Sequence, residues 1–192
     1  MADATLRSDD GPVAASKQDP AAEAKALFGD AHQQVTARSV TINKPVAEVY
    51  RFFRDFRNLP QFMENVVSIT VADDRQSHWV VKAPGGKTVE WDAIVTDEAP
   101  DRHIAWESQP GADVPNSGRV EFRDAGQRGT VVTATITYDP PFGVVGKIIA
   151  KMFQREPAIQ ARRDLRRFKQ LMETGEIATP AKNKQEFEEM GL

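Results

Sequence analysis

The spacing of apolar residues changes its period three times along the chain. From Thr36 to Asn43, Val40 and Ile42 alternate with polar neighbours, which predicts a strand that Lys44-Pro45 ends. Val46, Val49, Tyr50, Phe53 and Phe56 then recur at steps of three and four, so PVAEVYRFFRDF carries its aromatics on one helical face. A shorter helix is predicted from Leu59-Pro60 through Met63. Beyond it the helical period disappears and six strand-length segments follow: Asn65 to Asp73, Gln76 to Ala83, Lys87 to Thr96, His103 to Gln109, Ser117 to Asp124 and Thr130 to Asp139. In each, one parity is the more apolar: Val67, Ile69, Val71; Trp79, Val81, Ala83; Val89, Trp91, Ala93, Val95; Ile104, Trp106; Val120, Phe122; Val132, Ala134, Ile136, Tyr138. That parity is expected to face a common interior. Lys82, Glu90, Asp92, Glu107, Arg119, Glu121 and Arg123 fall on the other, as in a sheet with one wet face.

After Pro140-Pro141 the helical period returns, in Val145, Ile148, Ile149 and Met152 and then Ala158, Ala161, Leu165, Phe168, Leu171 and Met172. A long closing helix is predicted, with a kink or break near Gln154 to Glu156 because Pro157 lacks an amide proton, and with its end at Gly175. Residues 1–35 read as a mobile tail holding a short helix over 19–34, where Asp19, Pro20 and Glu23 form a start signal. Residues 36–176 form the folded domain and 177–192 a polar tail. The class is α+β: one strand, two short helices, a six-stranded antiparallel meander and a long C-terminal helix across the curved sheet. One rod cannot fill the whole concave face of a sheet that wraps, so this arrangement tends to leave a space.

Composition narrows the chemistry. The chain has 192 residues, 40% hydrophobic, with a net charge of −3 and no cysteine. Disulfides, Cys-ligated metals and a thiol nucleophile are thereby excluded. The first twenty residues hold no signal-peptide core, and the most apolar stretch, Phe142 to Phe153, is broken by Lys147 and Lys151. A cytoplasmic protein without a membrane span is expected.

Single motifs carry little. Gly86-Lys87-Thr88 resembles the end of a phosphate loop, but Val81 stands where its first glycine belongs and a strand follows, so Pro84-Gly85-Gly86 reads as a hairpin turn. His32, His78 and His103 lie on separate elements without metal-ligand spacing, and no serine-hydrolase motif is present. Glu90, Asp92 and Glu107 fall on the wet parity, which argues for solvated charge over acid/base work. No catalytic residue, metal site or cofactor is assigned. Between Phe142 and Gly175 eight basic residues face three acidic ones, which suits a solvated helix face or weak contact with an anionic membrane surface. Nucleic acid is not expected, since no aromatic stacking strip accompanies the charge. Trp79, Trp91, Trp106, Phe122 and Tyr138 on the inward parity, with Ile149, Met152 and Phe153 on the helix, are core packing or the lining of a ligand pocket. Phe142 joins them from the Pro-Pro-Phe-Gly-Val-Val-Gly segment, which reads either as a sharp strand-to-helix turn or as a gate.

The runs PVAEVYRFFRDFRNLPQFMENV, Trp91-Asp92-Ala93, IAWESQPGADVPNSGRVEF, TYDPPFGVVGK and DLRRFKQLMETGE together resemble the START-like helix-grip superfamily (SRPBCC, Bet v 1-like), in its polyketide cyclase/dehydrase branch, which includes coenzyme Q binding proteins. The resemblance covers about residues 36–176. It implies the helix-grip fold and use of the interior cavity. The expected function is binding of one small hydrophobic molecule (lipid, quinone or polyketide-like), with a polyketide cyclase/dehydrase-type enzyme as the alternative. A third reading treats the domain as an interaction scaffold with its charged tails as the working parts. The oligomeric state is left open.

Overall fold

The computed structural model describes residues 34–138 and 157–178. β1 (Gln34–Ile42) leads into α1 (Val46–Arg54) and a 3-10 helix, Phe56–Gln61. The meander follows as β2 (Val66–Val71), β3 (Gln76–Ala83), β4 (Lys87–Ala99), β5 (His103–Ser108), β6 (Asn116–Asp124) and β7 (Thr130–Tyr138), and α2 (Pro157–Thr174) closes the described part. The strands form one antiparallel seven-stranded sheet in the order β1-β7-β6-β5-β4-β3-β2. This is the expected helix-grip order.

The helices grip one end of the sheet through aromatic residues. Phe168 of α2 is fully buried and stacks on Phe62 with ring centroids 4.6 Å apart. It also meets Phe53 edge-on at 5.7 Å, and Phe53 in turn meets Phe122 of β6. Burial of each such side chain contributes about 1.5–3 kcal/mol. Polar bonds lash α2 to the end of β1: Lys169 Nζ donates to the Thr41 carbonyl at 2.7 Å, and the Asn43 amide donates to Glu173 Oε1 at 2.6 Å. α2 ends where Gly175 adopts φ +76° and its amide donates to the Leu171 carbonyl.

Local chemistry explains the departures from expectation. The second helix is a 3-10 turn because Pro60 has no amide proton, and its bonds close over three residues, Asn58 N to Asp55 O and Phe62 N to Leu59 O. Val67 was expected inside but is 49% exposed, because a bulge between Val66 and Ser68 turns Val66 inward in its place. Val71, also expected inside, is 37% exposed on this edge strand, with a neighbour on one side only. β4 runs to Ala99, three residues further than the alternation predicts, since a bulge at Thr96 shifts the register without ending the pairing. The Pro84–Gly86 turn is present, with Gly85 and Gly86 at positive φ. Gln34 and Val35, expected in the N-terminal tail, instead belong to β1 and pair with Tyr138 and Thr137, because the ladder with β7 continues past Thr36. The rest of the predicted helix over 19–34, the tails before 34 and after 178, the proline-rich segment, the first half of the closing helix and the kink before Pro157 lie outside the described residues.

Candidate functional site

Register carries a set of side chains across the concave face. Trp79 of β3 stands opposite Trp91 of β4, and their indoles lie nearly parallel, 10° apart in plane, with centroids separated by 6.2 Å. Phe56 of the 3-10 helix packs against Trp79 at 6.2 Å, so the pair faces the helical layer. In the next row Ser77 pairs with Ala93, Ala93 with Ser108, and Asn116 with Tyr138. In the row after that Val95 pairs with Trp106, Trp106 with Gly118, and Gly118 with Ile136.

Gly118 is what allows Trp106 to lie across β6. A Cβ at this position would stand 2.3 Å and 2.4 Å from the indole Cζ2 and Cη2 and 2.8 Å from the Thr135 carbonyl oxygen. The indole N–H groups mostly stay on the sheet: Trp79 Nε1 donates to Ser77 Oγ at 2.9 Å and Trp106 Nε1 to Asn116 Oδ1 at 3.3 Å. The Asn116 amide group donates to the Val114 carbonyl, and its backbone N–H to Ser108 Oγ. Burial pushes the Tyr138 phenol up from its usual pKa, so it is neutral across the physiological range.

All three tryptophans are half-buried, whereas the aliphatic residues beside them, Val81, Val89, Ala93 and Val95, are buried. Of the sequence-assigned lining residues, Phe122 lies deeper, 4% exposed beneath Tyr50 and Phe53, and Tyr138 is 2% exposed at the other end of the face. Phe142, Ile149, Met152 and Phe153 lie outside the described residues. Glu90, Asp92 and Glu107 are exposed, as expected, and His78 bonds Asp92 at 2.9 Å on that outer face. Among the described residues no group of His, Asp or Glu has the geometry to hold a metal ion. No helix among them is long and apolar enough to cross a membrane. Arg162, Arg163 and Arg166 are exposed on α2.

Two polar sites escape the sequence patterns. Past the Thr96 bulge Glu98 faces inward opposite Ile104, where the Tyr50 hydroxyl donates to it and Arg54 Nε donates at 2.7 Å. Burial pushes the Glu98 carboxyl up, but these two bonds outweigh it and hold the group below its usual range. Arg54 also donates to the Asp74 carbonyl at 2.5 Å and lies over the Phe56 ring, so the cluster clamps α1 to the β2–β3 turn and β4. The signal missed was the bulge, which reverses parity after Thr96. The second site is Asp164, which accepts from Gln160 Nε2 at 2.9 Å and from the Glu64 amide at 3.4 Å. Burial pushes its carboxyl up to about 6, against the bonds from Glu64 and Gln160 and the charge of Arg167. Elsewhere, an open groove of about 450 Å³ runs between α1 and the end of α2, lined by Glu48, Arg51, Phe52, Asp55, Asn58, Leu171 and Met172.

Comparison with known proteins adds a family. The profile of the family described as "Polyketide cyclase / dehydrase and lipid transport" matches residues 42–166. An uncharacterised 17.2 kDa protein of Streptomyces lincolnensis is 31% identical over 136 residues, 70% of this chain and 87% of the relative. A solved structure from Deinococcus radiodurans is 42% identical and superposes with a TM-score of 0.60 over 74% of this chain and 100% of its own. An aromatase/cyclase from a Streptomyces species, 13% identical, shares the fold with a TM-score of 0.60 over 77% of this chain and 100% of that one.

Proposed function

The chain belongs to the polyketide cyclase/dehydrase and lipid transport family, and on that premise we propose that it is a binding protein whose concave sheet face holds one small hydrophobic molecule. The observation that carries this reading is the half-buried state of Trp79, Trp91 and Trp106 on a face whose aliphatic neighbours are buried. The aromatic core built by Phe53, Phe62 and Phe168 fills the helix end of the sheet, and the tryptophans extend beyond it. A guest laid on them removes apolar surface from water at about 25 cal/mol per Å². Its polar atoms meet the neutral row of Ser77, Ser108, Asn116 and Tyr138. Titration with a panel of fatty acids, quinones and polycyclic phenols, followed by tryptophan emission, tests this reading. A saturable blue shift with at least one class is expected, and flat titrations throughout would refute it.

Catalysis of the cyclase/dehydrase type is the second reading, and Asp164 is the observation in its favour. A carboxyl poised at about 6 exchanges its proton near neutrality, as a general acid or base must. Its bonds, however, run to Glu64 and Gln160 and not to the tryptophan face. Turnover of a linear polyketide mimic that is abolished in Asp164→Asn would establish this reading over simple binding.

A further inference from the structure

The groove between α1 and the last turns of α2 lies apart from the tryptophan face and has an apolar floor open to water. Glu48, Arg51, Phe52 and Asp55 recur at steps of three and four, so they form the stripe of α1 opposite the one that buries Val49, Tyr50 and Phe53. Phe52 is half-buried, its ring tilted against Phe168 at 5.9 Å. Leu171 and Met172 complete the floor from α2. A small molecule in a groove this open would stay largely wet, whereas small-molecule sites enclose most of their ligand. Charge around the floor is uneven. Glu48 lies 3.2 Å from Lys44 Nζ and Asp55 2.7 Å from Arg57 Nε, so both acids already have a cation. Arg51 is the cation among the lining residues; its Nε donates to the Ala47 carbonyl at 3.0 Å, and no carboxylate among the described residues pairs with it.

The chain itself arrives at this groove. Gly175 ends α2, and the Glu176 amide then donates to Thr174 Oγ1 at 3.3 Å. Ile177 turns back onto the body, half-buried against the core, a few residues past Leu171 and Met172. Residues 179–192, TPAKNKQEFEEMGL, follow, and none of them belongs to the family match. Phe187 and Met190 stand three residues apart among Glu186, Glu188 and Glu189, the complement of an apolar floor beside an arginine without a carboxylate. Reach fits as well. The nine residues from Ala178 to Phe187 span about 15–18 Å as a flexible chain, against about 13–14 Å for the length of α1. A linker matched to its site gives an effective concentration of millimolar order, so a contact too weak to hold a free peptide suffices. Residues before 34 enter from the far end of β1, about 30 Å away along its nine residues.

We propose that the groove between α1 and α2 is the docking site of the chain's own 179–192 segment, with Phe187 and Met190 on the floor of Phe52, Leu171 and Met172 and the neighbouring glutamates at Arg51. Docking holds the end of α2 against α1 and leaves the tryptophan face free for a guest.

The chain has no cysteine, so one spin label can be placed at will. A nitroxide on Gln185→Cys in the full isotope-labelled chain is expected to broaden the NMR amide signals of Arg51, Phe52, Leu171 and Met172 and to leave those at the start of β1 sharp. Asn183→Cys repeats the measurement should a label at 185 itself block docking. Phe187→Ser combined with Met190→Ser should lower the docking constant, read from the broadening, by about tenfold or more. Arg51→Glu, an exposed change, should lower it about two- to fivefold. Met190→Leu keeps the apolar bulk and should leave it within about twofold. Mixing isotope-labelled wild-type chain with unlabelled, spin-labelled chain is expected to give no broadening; broadening in that mixture identifies a second copy as the occupant and overturns the proposal. Sharp groove signals from both label positions, broadening that survives the double serine variant, or undiminished docking in Arg51→Glu overturns it too. None of these results bears on guest binding at the tryptophans, which the emission titration reads separately.

Discussion

Replacement of Gly118 by alanine isolates the contact that shapes the concave face. The added methyl carbon would stand 2.3 Å from Cζ2 and 2.4 Å from Cη2 of Trp106, far inside van der Waals contact, and 2.8 Å from the Thr135 carbonyl oxygen. The indole has to swing away, which strains its hydrogen bond to Asn116 Oδ1, already 3.3 Å long. Overpacking of this kind costs about 1–3 kcal/mol. In a domain of this size each kcal/mol moves the melting temperature by roughly 2–4 °C, so Gly118→Ala should melt about 3–10 °C below the wild type by circular dichroism. The same displacement should shift tryptophan emission in the native state. Trp106→Phe lacks the two clashing atoms, so the double variant should recover at least about 1 kcal/mol relative to the sum of the single effects. A single variant melting within about 1 °C of the wild type, or strict additivity in the double variant, would refute the reasoning that position 118 is glycine to admit the indole.

Other predictions test the polar sites. Tyr50→Phe removes the hydroxyl that donates to Glu98 and should destabilise by about 1–2 kcal/mol in urea titration, at the lower end because Glu98 is about a quarter exposed. Glu98 has a folded pKa below its unfolded value, so its contribution is present above the ordinary carboxylate range and is lost as pH falls through the folded value. In Glu98→Gln the acid-side loss of stability should accordingly be shallower. Asp164 has the opposite sign: raised from 3.8 to about 6 in the folded state, it favours folding when protonated, and that contribution is lost as pH rises from about 4 to about 6. Asp164→Asn should therefore be more stable than the wild type at pH 7.5, by up to about 3 kcal/mol, with the difference vanishing near pH 4. A pH-independent difference in melting temperature would show that Asp164 does not titrate as described.

Much of this fold is legible as periodicity. Strand alternation locates β3 at both ends and β5, β6 and β7 to within a residue, because each has one buried and one wet face and a slip would expose the whole apolar set. The aromatic spacing of α1 foretells its buried Val49, Tyr50 and Phe53 in the same way. Bulges defeat the method, since they insert a residue without any compositional mark. One exchanges Val66 for Val67, and the other turns Glu98 inward to Tyr50 and Arg54. The inward tryptophans were legible, but their half-burial was not, because that depends on how far the helical layer reaches. Gly118 had a readable signal, a glycine within a strand, which marks close approach of a neighbour. Asp164 had none, since a polar residue amid a basic helix reads as solvent-facing until the chain packs against Glu64.

The central claim is that the concave face of this sheet carries a small hydrophobic guest. Native mass spectrometry of the protein purified from its own host, followed by solvent extraction of anything bound, tests it most directly. The expected result is a stoichiometric adduct whose extract is a small hydrophobic compound. A protein that emerges at its bare mass from its own host, and that fails to take up any member of the hydrophobic panel afterwards, would contradict the claim.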